Sequence, residues 1–246
     1  MTKQDNTIGG VEFFSEDYPE LISTIDRYIL AKKGCFLLTP TTEILGDCLK
    51  DPDMMKVLKR GDIRIPDSTT IIWLARLLGK SIKKRVTGID ALIKLGQASH
   101  RRYKVYYLGS KADILAQAVT ATKTLLPAYD VVGFHDGYYR RDEIDQIVDD
   151  INQSQADILF VGMGFPKQEL FIYDHIKKLT VPVKVTVGGS FDVISGTLKR
   201  APKWMQSAGI EWVYRLIQEP SRVGRMAQIP LYLFQLLKKE LSLKSK

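Results

Sequence analysis

Residues that bind metals or form disulfides are scarce in this sequence. Its 246 residues include only two cysteines, Cys35 and Cys48, and three histidines that lie far apart. Neither a Cys-x-x-Cys pair nor a His-Glu-x-x-His pattern occurs. The sequence therefore predicts neither a disulfide framework nor a dedicated zinc site, and a reducing cytoplasm is the simplest setting. No apolar run approaches the roughly 18 residues that a membrane-spanning helix requires.

The signatures of three common enzyme classes are also missing. The Gly-x-Gly pair at 162–164 is followed by Lys167 where the dinucleotide-binding fingerprint needs a glycine, which disfavours a nicotinamide or flavin enzyme. The Gly-Lys-Ser segment at 79–81 resembles the end of a P-loop, but Leu74 occupies the place of its first glycine. No Gly-x-Ser-x-Gly elbow occurs, so an acyl transferase would lack its nucleophile.

What the chain does contain is a regular alternation of strand-like and helical patterns. Strand-like runs such as 35–38, 105–108 and 157–161, apolar except for Asp157, have the length of buried strands, and the segments between them repeat apolar residues at helical spacing. This alternation predicts an α/β fold, with a Rossmann-like, mostly parallel sheet and helices on both of its faces.

The last fifty residues differ from the rest in charge. Residues 197–246 contain six lysines, four arginines and three glutamates, which gives this segment +7 of the chain's net charge of +8. We therefore predict a catalytic α/β domain at 1–196 and a basic helical appendage at 197–246. One helix is expected between Pro202 and Pro220. The leucines and lysines after it suit either an amphipathic helix on an anionic membrane surface or a helix docked on the body.

Asp67 stands out by its position. It lies between a predicted short strand at 63–65 and a predicted helix that begins close behind it. Ligands of open α/β sheets bind at the carboxyl ends of strands, so Asp67 is a candidate site residue. Asp67, Ser68 and Thr69 are also all of types that cap helices, so the same position fits a simple N-cap.

Glycines follow several of the predicted strands. They are Gly109, Gly162, Gly164, Gly188 and Gly189. Glycine lets a backbone approach a ligand closely, and a helix N-terminus just beyond it attracts anions. These turns are candidate cradles for a phosphate or sugar, and they fit equally well with tight turns that hold no ligand.

One segment formally matches a metal-binding pattern. Asp51-Pro52-Asp53 has the Asp-x-Asp form found in metal-dependent sugar transferases. Aspartate and proline are also common where helices begin, and capping explains the triplet fully. We therefore expect no metal there.

Seven short motifs combine into a more specific pattern. In chain order they are Ile-Pro-Asp (65–67), Ala-Arg-Leu-Leu-Gly-Lys (75–80), Arg-Val-Thr-Gly-Ile-Asp (85–90), Gly-Phe-His-Asp-Gly-Tyr (133–138), Pro-Lys-Gln-Glu (166–169), Gly-Gly-Ser-Phe-Asp (188–192) and Lys-Arg-Ala-Pro-Lys-Trp-Met (199–205). Together they resemble the TagA/WecG/CpsF family of bacterial glycosyltransferases, over about residues 8–230.

The resemblance implies an inverting, metal-independent enzyme without a cofactor. It would move N-acetylmannosamine or a related sugar from UDP to a polyprenyl-diphosphate-linked acceptor, in the synthesis of wall teichoic acid, capsule or another surface polymer. The implied place is the cytoplasm, peripheral on the inner face of the bacterial plasma membrane. The implied partners are the UDP-sugar, the lipid-linked acceptor and the anionic membrane surface, but no nucleic acid. A homo-oligomer is compatible with this interpretation.

The alternative interpretation is a non-catalytic protein that binds anionic lipid or nucleic acid through its basic tail. Aromatic residues of the tail could stack on bases. They fall at helical spacing among aliphatic residues, however, which is typical of buried faces.

The resemblance also assigns roles to residues. Asp67 matches the family's catalytic base and Thr39 a threonine of its catalytic site, and Arg215, Arg222 and Arg225 match arginines of an appendage that would bind the acceptor diphosphate. The expected nucleotide-sugar contacts are Thr41, Arg85, Thr87, Gly88, Gly109, Gly162, Gly164, Lys167, Gln168, Glu169, Gly188, Gly189 and Asp192. The chain departs from the family at Ser68 and Thr41, where glycine and asparagine are usual.

Overall fold

The computed structural model describes residues 5–82, 84–98, 100–207, 210–220 and 223–244. Its strands are β1 (Thr7–Ile8), β2 (Val11–Glu12), β3 (Cys35–Leu38), β4 (Ile63–Arg64), β5 (Tyr103–Gly109), β6 (Tyr129–His135), β7 (Ile158–Gly162) and β8 (Val183–Thr186). Its helices are α1 (Tyr18–Leu30), α2 (Thr42–Lys50), α3 (Pro52–Arg60), α4 (Thr69–Leu77), α5 (Gly88–Gly96), α6 (Ala112–Leu125), α7 (Ile144–Gln153), α8 (Lys167–His175), α9 (Ser190–Ile194), α10 (Lys203–Ser207), α11 (Glu211–Gln218), α12 (Val223–Met226) and α13 (Ile229–Lys244).

Six of the strands form one parallel sheet in the order β4-β3-β8-β7-β5-β6. The pair β1 and β2 forms a separate antiparallel hairpin. The chain leaves β5 toward one edge of the sheet and leaves β7 toward the other. Such a reversal opens a crevice at the carboxyl ends of the two strands, where ligands of doubly wound sheets bind.

Side chains alternate between the two faces of the sheet. In β3, Cys35 and Leu37 join one apolar core, and Phe36 and Leu38 join the other. Helices α1, α5, α6 and α9 cover the first face, and α2, α3, α4, α7, α8 and α13 cover the second. Burial on both faces explains why β3 and β7 contain no polar side chain. The predicted α/β fold is confirmed.

The segment between Pro202 and Pro220 corrects one prediction. It forms two helices, α10 and α11, where the sequence predicted one. The chain turns at Ile210, whose φ of −107° and ψ of 19° are not helical and whose N–H donates to the carbonyl of Met205 at 3.0 Å. The spacing of the aromatic residues alone could not reveal this turn.

Helix α13 is docked on the body of the protein. Leu236 is fully buried, and Tyr232 lies so close to Gly46 that a Cβ there would be 2.3 Å from its ring. The Glu240 carboxylate accepts the N–H of Gly9 at 2.8 Å and pairs with Lys80 at 3.0 Å. Among the residues described, no helix has the length and apolar character needed to cross a membrane. Leu236 joins the core of the body, so α13 packs on that domain.

Candidate active site

Asp67 lies three residues after the end of β4 but does not cap the helix that follows it. The N-cap of α4 is Ser68, whose hydroxyl accepts the N–H of Ile71 at 3.4 Å. The same hydroxyl lies 3.0 Å from that of Thr42 and 3.1 Å from that of Thr70. The interpretation of Asp67 as a simple N-cap is therefore wrong, and its carboxylate is left for another role.

The surroundings of Asp67 tune its proton affinity toward neutral pH. Burial raises the pKa of this carboxyl to about 6, although the positive charges of Arg85 and Arg215 lower it and the negative charges of Glu211 and Asp90 raise it. The side chain keeps partial contact with solvent, so a substrate hydroxyl could reach it. A carboxylate with a pKa close to the working pH suits a general base.

Arg85 connects Asp67 to the C-terminal segment. Its Nε donates to the backbone carbonyl of Asp67 at 2.7 Å, and its Nη2 binds Oε2 of Glu211 at 3.1 Å. Glu211 lies 126 residues further along the chain, at the first position of α11. The start of this helix is therefore held beside the end of β4.

A second arginine extends this network. Arg200 Nη1 donates to Oδ1 of Asp90 at 2.6 Å, and its Nε lies 3.5 Å from Oε1 of Glu211. The hydroxyl of Thr87 donates to Oδ2 of Asp90 at 2.8 Å and caps α5 by accepting the Asp90 N–H at 3.1 Å. Burial raises the pKa of Asp90, but the hydrogen bonds from Arg200 and Thr87 outweigh it and hold this pKa below its usual value.

Thr39 joins the ends of two strands. Its hydroxyl donates to the carbonyl of Thr186 at 3.1 Å, and its N–H donates to the Thr186 hydroxyl at 3.2 Å. A Cβ at Gly88 would lie 2.9 Å from the Thr39 methyl group, so the N-terminus of α5 packs against this pair. Thr39 is 6% exposed, which suits a residue that shapes the site. Nearby Thr41 caps α2 by accepting the Ile44 N–H at 3.4 Å.

The glycine turns fall into two kinds. A Cβ at Gly109 would lie 2.4 Å from the carbonyl oxygen of Gly162, and one at Gly162 would lie 2.7 Å from that of Gly188. Close packing between turns therefore explains Gly109 and Gly162 without a ligand. In contrast, added Cβ atoms at Gly164 and Gly188 would meet nothing within 4 Å. Because the space beside these two glycines is open, they remain candidates for contact with a phosphate or sugar.

Gln168 and Glu169 form a buried hydrogen-bonded pair that holds the turn after β8. Gln168 Oε1 accepts the N–H of Gly188 at 3.0 Å, and its Nε2 donates to Oε1 of Glu169 at 2.8 Å. Glu169 is 3% exposed and lines a narrow gap with Leu38, Pro40 and Cys48, among others. Burial raises the pKa of Glu169 to about 7. Because Glu169 is buried this deeply, its carboxylate is connected to the turn at Gly188 through the Gln168 side chain.

The remaining predicted contacts have varied positions. Lys167 is exposed at the start of α8. Asp192 lies in α9, and its Oδ2 would be 3.5 Å from a Cβ at Gly189. Arg222 lies outside the described residues, as does the side chain of Arg225, whose backbone belongs to α12.

Three residues of the charged network were absent from the predicted site. Asp90 and Arg200 lie inside motifs that carry the family resemblance, so the motifs contained a signal for them. Glu211 lies in no such motif, and a glutamate in the first turn of a helix is common.

The Asp-x-Asp segment has the structure of a helix cap. Asp51 Oδ1 accepts the N–H groups of Asp53 and Met54 at 2.9 and 3.1 Å, and Asp53 pairs with Lys56 at 2.8 Å. Capping thus explains the triplet, as expected. Over the part of the chain that the structure covers, no three His, Cys, Asp or Glu side chains are grouped as a metal site would require.

A parallel α/β sheet with a tuned carboxylate, arginines and glycine turns at its carboxyl edge fits a group-transfer enzyme that acts on an anionic substrate. The model of the Glycosyl transferase WecG/TagA/CpsF family matches residues 6–246, so the chain belongs to this family of glycosyltransferases. The resemblance found in the motifs is thereby confirmed.

Curated relatives agree with this assignment. The chain is 32% identical over 239 residues to an N-acetylglucosaminyldiphosphoundecaprenol N-acetyl-beta-D-mannosaminyltransferase of Bacillus subtilis strain 168. The matched region covers 96% of this chain and 93% of the relative. A protein of the same name from Bacillus spizizenii is 31% identical, with 96% and 92% covered. Another from Staphylococcus aureus strain MW2 is 27% identical over 240 residues, with 96% and 93% covered.

Proposed function

We propose that this chain moves N-acetylmannosamine, or a closely related sugar, from UDP to N-acetylglucosamine on a polyprenyl diphosphate. The names of the relatives support the transferred sugar and the acceptor. The observation that carries the proposal is Asp67, a carboxylate with a pKa of about 6 set among arginines at the carboxyl edge of the sheet. The polymer built from such a product is a cell-surface polysaccharide, with wall teichoic acid as the first candidate.

Asp67 would act as the general base. It takes the proton from the attacking acceptor hydroxyl while the bond between the anomeric carbon and UDP breaks on the opposite face. One displacement of this kind inverts the anomeric centre. A positioned base contributes roughly 10²–10⁴-fold to such a step.

Positive charge would stabilise the departing UDP. The diphosphate gains charge as the bond breaks, and preorganised donors that meet this charge lower the barrier. Arg85 and Arg215 both act electrostatically on Asp67. We therefore assign Arg215 to the diphosphate of UDP, whereas the resemblance implied the acceptor diphosphate. The open turns at Gly164 and Gly188 are suited to hold the nucleotide. With these groups in place the transfer needs no metal, and activity should survive EDTA.

The test is the Asp67→Asn variant, assayed for UDP release with a lipid-linked acceptor. We expect transfer to fall by roughly 10²–10⁴-fold while UDP binding and the melting temperature are retained. Asp53→Asn is the matched control, because Asp53 is exposed, pairs only with Lys56 among the described contacts and belongs to the Asp-x-Asp segment. Unchanged transfer by Asp67→Asn would refute the base. A loss in Asp53→Asn that manganese restores would revive the metal alternative.

We also propose that α13 contacts the anionic membrane in which the acceptor is embedded. Its buried stripe is Tyr232, Leu236 and Glu240, and its opposite side exposes Leu231, Phe234, Lys238 and Leu241. These four residues share one face at helical spacing. The two interpretations of the tail are thus compatible, because one side docks and the other remains open. The segment's charge of +7 favours an anionic surface at about 1 kcal/mol per basic residue near it.

Vesicle binding tests this contact. The Phe234→Ser and Leu241→Ser double variant should lose roughly 30-fold or more in affinity for vesicles that contain phosphatidylglycerol, because burying each apolar side chain in the interface contributes roughly 1–2 kcal/mol and about 1.4 kcal/mol corresponds to tenfold. Its melting temperature should not change, since both side chains are exposed. Leu30→Ser is the control, as Leu30 is also exposed, at the end of α1. If the double variant binds vesicles as the parent does, α13 is not the contact. Strong binding of nucleic acid by the tail would favour the alternative function.

A further inference from the structure

Glu211 is a charged side chain that the transfer mechanism does not use. It is 8% exposed, and its two carboxylate oxygens face two different arginines. Oε2 binds Arg85 at 3.1 Å, and Oε1 lies 3.5 Å from Nε of Arg200. Burial of a carboxylate is unfavourable unless paired charges offset it. The position of α11 therefore depends on these two contacts.

The two arginines lead from Glu211 to opposite sides of the site. Arg85 also donates to the backbone carbonyl of Asp67, and Arg200 also binds Asp90 beside the N-terminus of α5. The Glu211 carboxylate is thus connected to Asp67 through Arg85, and to Asp90 at the start of α5 through Arg200. Among the described residues of α11, Glu211 alone forms ion pairs with both Arg85 and Arg200.

Arg215 lies on the same face of α11. It follows Glu211 by four residues, which places both side chains one above the other along a helix. Its positive charge lowers the pKa of Asp67, so Arg215 acts electrostatically on the site in this position of α11. Any rotation or departure of α11 would move Arg215 away from Asp67.

We propose that Glu211 is a positioning residue that seats α11 over the sugar-transfer site, holding Arg85 beside Asp67 and presenting Arg215 to the leaving diphosphate. This proposal rests on the proposed function for the identity of the reaction. Its structural half, the seating of α11 by one carboxylate, can be measured without any reaction. Glu211 touches no reacting atom, and it acts through the two arginines.

The charge of Glu211 also contributes to the pH dependence of transfer. The titratable and charged groups that face Asp67 belong to three helices and to the segment before α5. They are Tyr18 in α1, Arg85 before α5, Asp90 in α5, and Glu211 and Arg215 in α11. Burial is the largest influence on Asp67 and raises its pKa, and the Glu211 charge raises it further. Greater exposure of Asp67 reduces the largest of these influences and so lowers this pKa, and loss of the Glu211 charge lowers it as well. Departure of Arg215 acts in the opposite direction, but its influence on this pKa is smaller than that of burial.

The test compares Glu211→Gln with the matched control Glu20→Gln, which changes an exposed glutamate that pairs with Arg27 on α1. We expect Glu211→Gln to lower kcat by roughly 10- to 100-fold, as misplacement of catalytic groups does, with a smaller change in KM for the donor. The acidic limb of its kcat/KM profile should move to lower pH. Amide hydrogen exchange should speed up in α11 and stay unchanged in β3, β5, β7 and β8.

A double-mutant cycle with Arg200→Gln separates seating from simple destabilisation. If both residues act through one contact, the double variant loses little more than the worse single variant. Wild-type kcat and an unmoved pH limb in Glu211→Gln would overturn the proposal. Equal acceleration of exchange in α11 and the sheet would also overturn it, since the residue would then support the whole fold. Should Asp67→Asn keep full transfer, the proposed function fails, while the exchange measurement still decides the seating of α11.

Discussion

Two parts of the same sheet edge are held together in different ways. The glycine side consists of the turns at Gly109, Gly162 and Gly188, which contact each other through backbone atoms. The charged side consists of Asp67, Asp90, Arg85, Arg200 and Glu211, which contact each other through side chains from distant parts of the chain. The first is determined by the strands it follows, whereas the second is complete only when α11 has docked.

This difference separates nucleotide binding from catalytic competence. Backbone turns between packed strands do not change when the C-terminal segment moves, so the glycine side should be preformed. The charged side loses a carboxylate and an arginine if α11 leaves. We therefore expect donor binding to be less sensitive to changes in the C-terminal segment than transfer is.

The largest effect should come from breaking the glycine side at Gly109. In Gly109→Ala the Cβ would overlap the Gly162 carbonyl, and the φ of +130° is unfavourable for any residue with a side chain. We expect a loss of roughly 3–5 kcal/mol in the free energy of unfolding, measured by urea denaturation. Gly188→Ala is the matched control: its φ of +52° is strained but its surroundings are open, so about 1 kcal/mol is expected. Similar losses in both variants would contradict the close packing of the turns.

A smaller effect should come from Glu169, the ionisable group beneath the glycine side. Its pKa is raised to about 7 by burial, so the folded state binds a proton more tightly than the unfolded chain does. The associated stability is complete below pH 4.5 and is lost as the pH rises through 7. Glu169→Gln removes this dependence and keeps an acceptor for Gln168.

Thermal unfolding of Glu169→Gln at pH 5 and pH 8.5 measures this effect. The parent should lose roughly 1–3 kcal/mol more of its free energy of unfolding than the variant does between the two pH values, since one pKa unit corresponds to about 1.4 kcal/mol. Glu20→Gln should run parallel to the parent, because its carboxylate is exposed. A parallel course for Glu169→Gln would mean that Glu169 is not buried as a neutral acid.

The smallest effect concerns the charged side and the pH dependence of transfer. Asp67 must be deprotonated to accept a proton, and its pKa is about 6. The value of kcat/KM should therefore fall about tenfold per pH unit below 6 and level off above 7. The residual activity of Asp67→Asn should lack this limb. A limb near pH 4 in the parent would show that the site is more hydrated than the structure implies.

Most of the fold could be predicted from the sequence. The short apolar runs and the helical patterns between them follow from burial of strands on two faces, which is a local requirement that leaves a local signal. The ordered motifs were enough to indicate the family, and the position of Asp67 after β4 was enough to make it a candidate. The interrupted helix at Ile210 escaped prediction because one turn hardly alters a helical pattern.

The candidate site divides in the same way. The sequence by itself determined which residue types stand at the ends of the strands, because the chain order of β3, β4, β7 and β8 delivers Thr39, Asp67 and the glycines to one edge. Only the tertiary structure decided what they do there. In the folded chain Ser68, and not Asp67, caps α4. Gly109 and Gly162 are required by close packing between turns. Glu211 contacts Arg85, which is 126 residues away in the sequence. Ion pairs between distant residues leave no periodic trace, since each needs only one side chain at one position, and so the sequence could not reveal them.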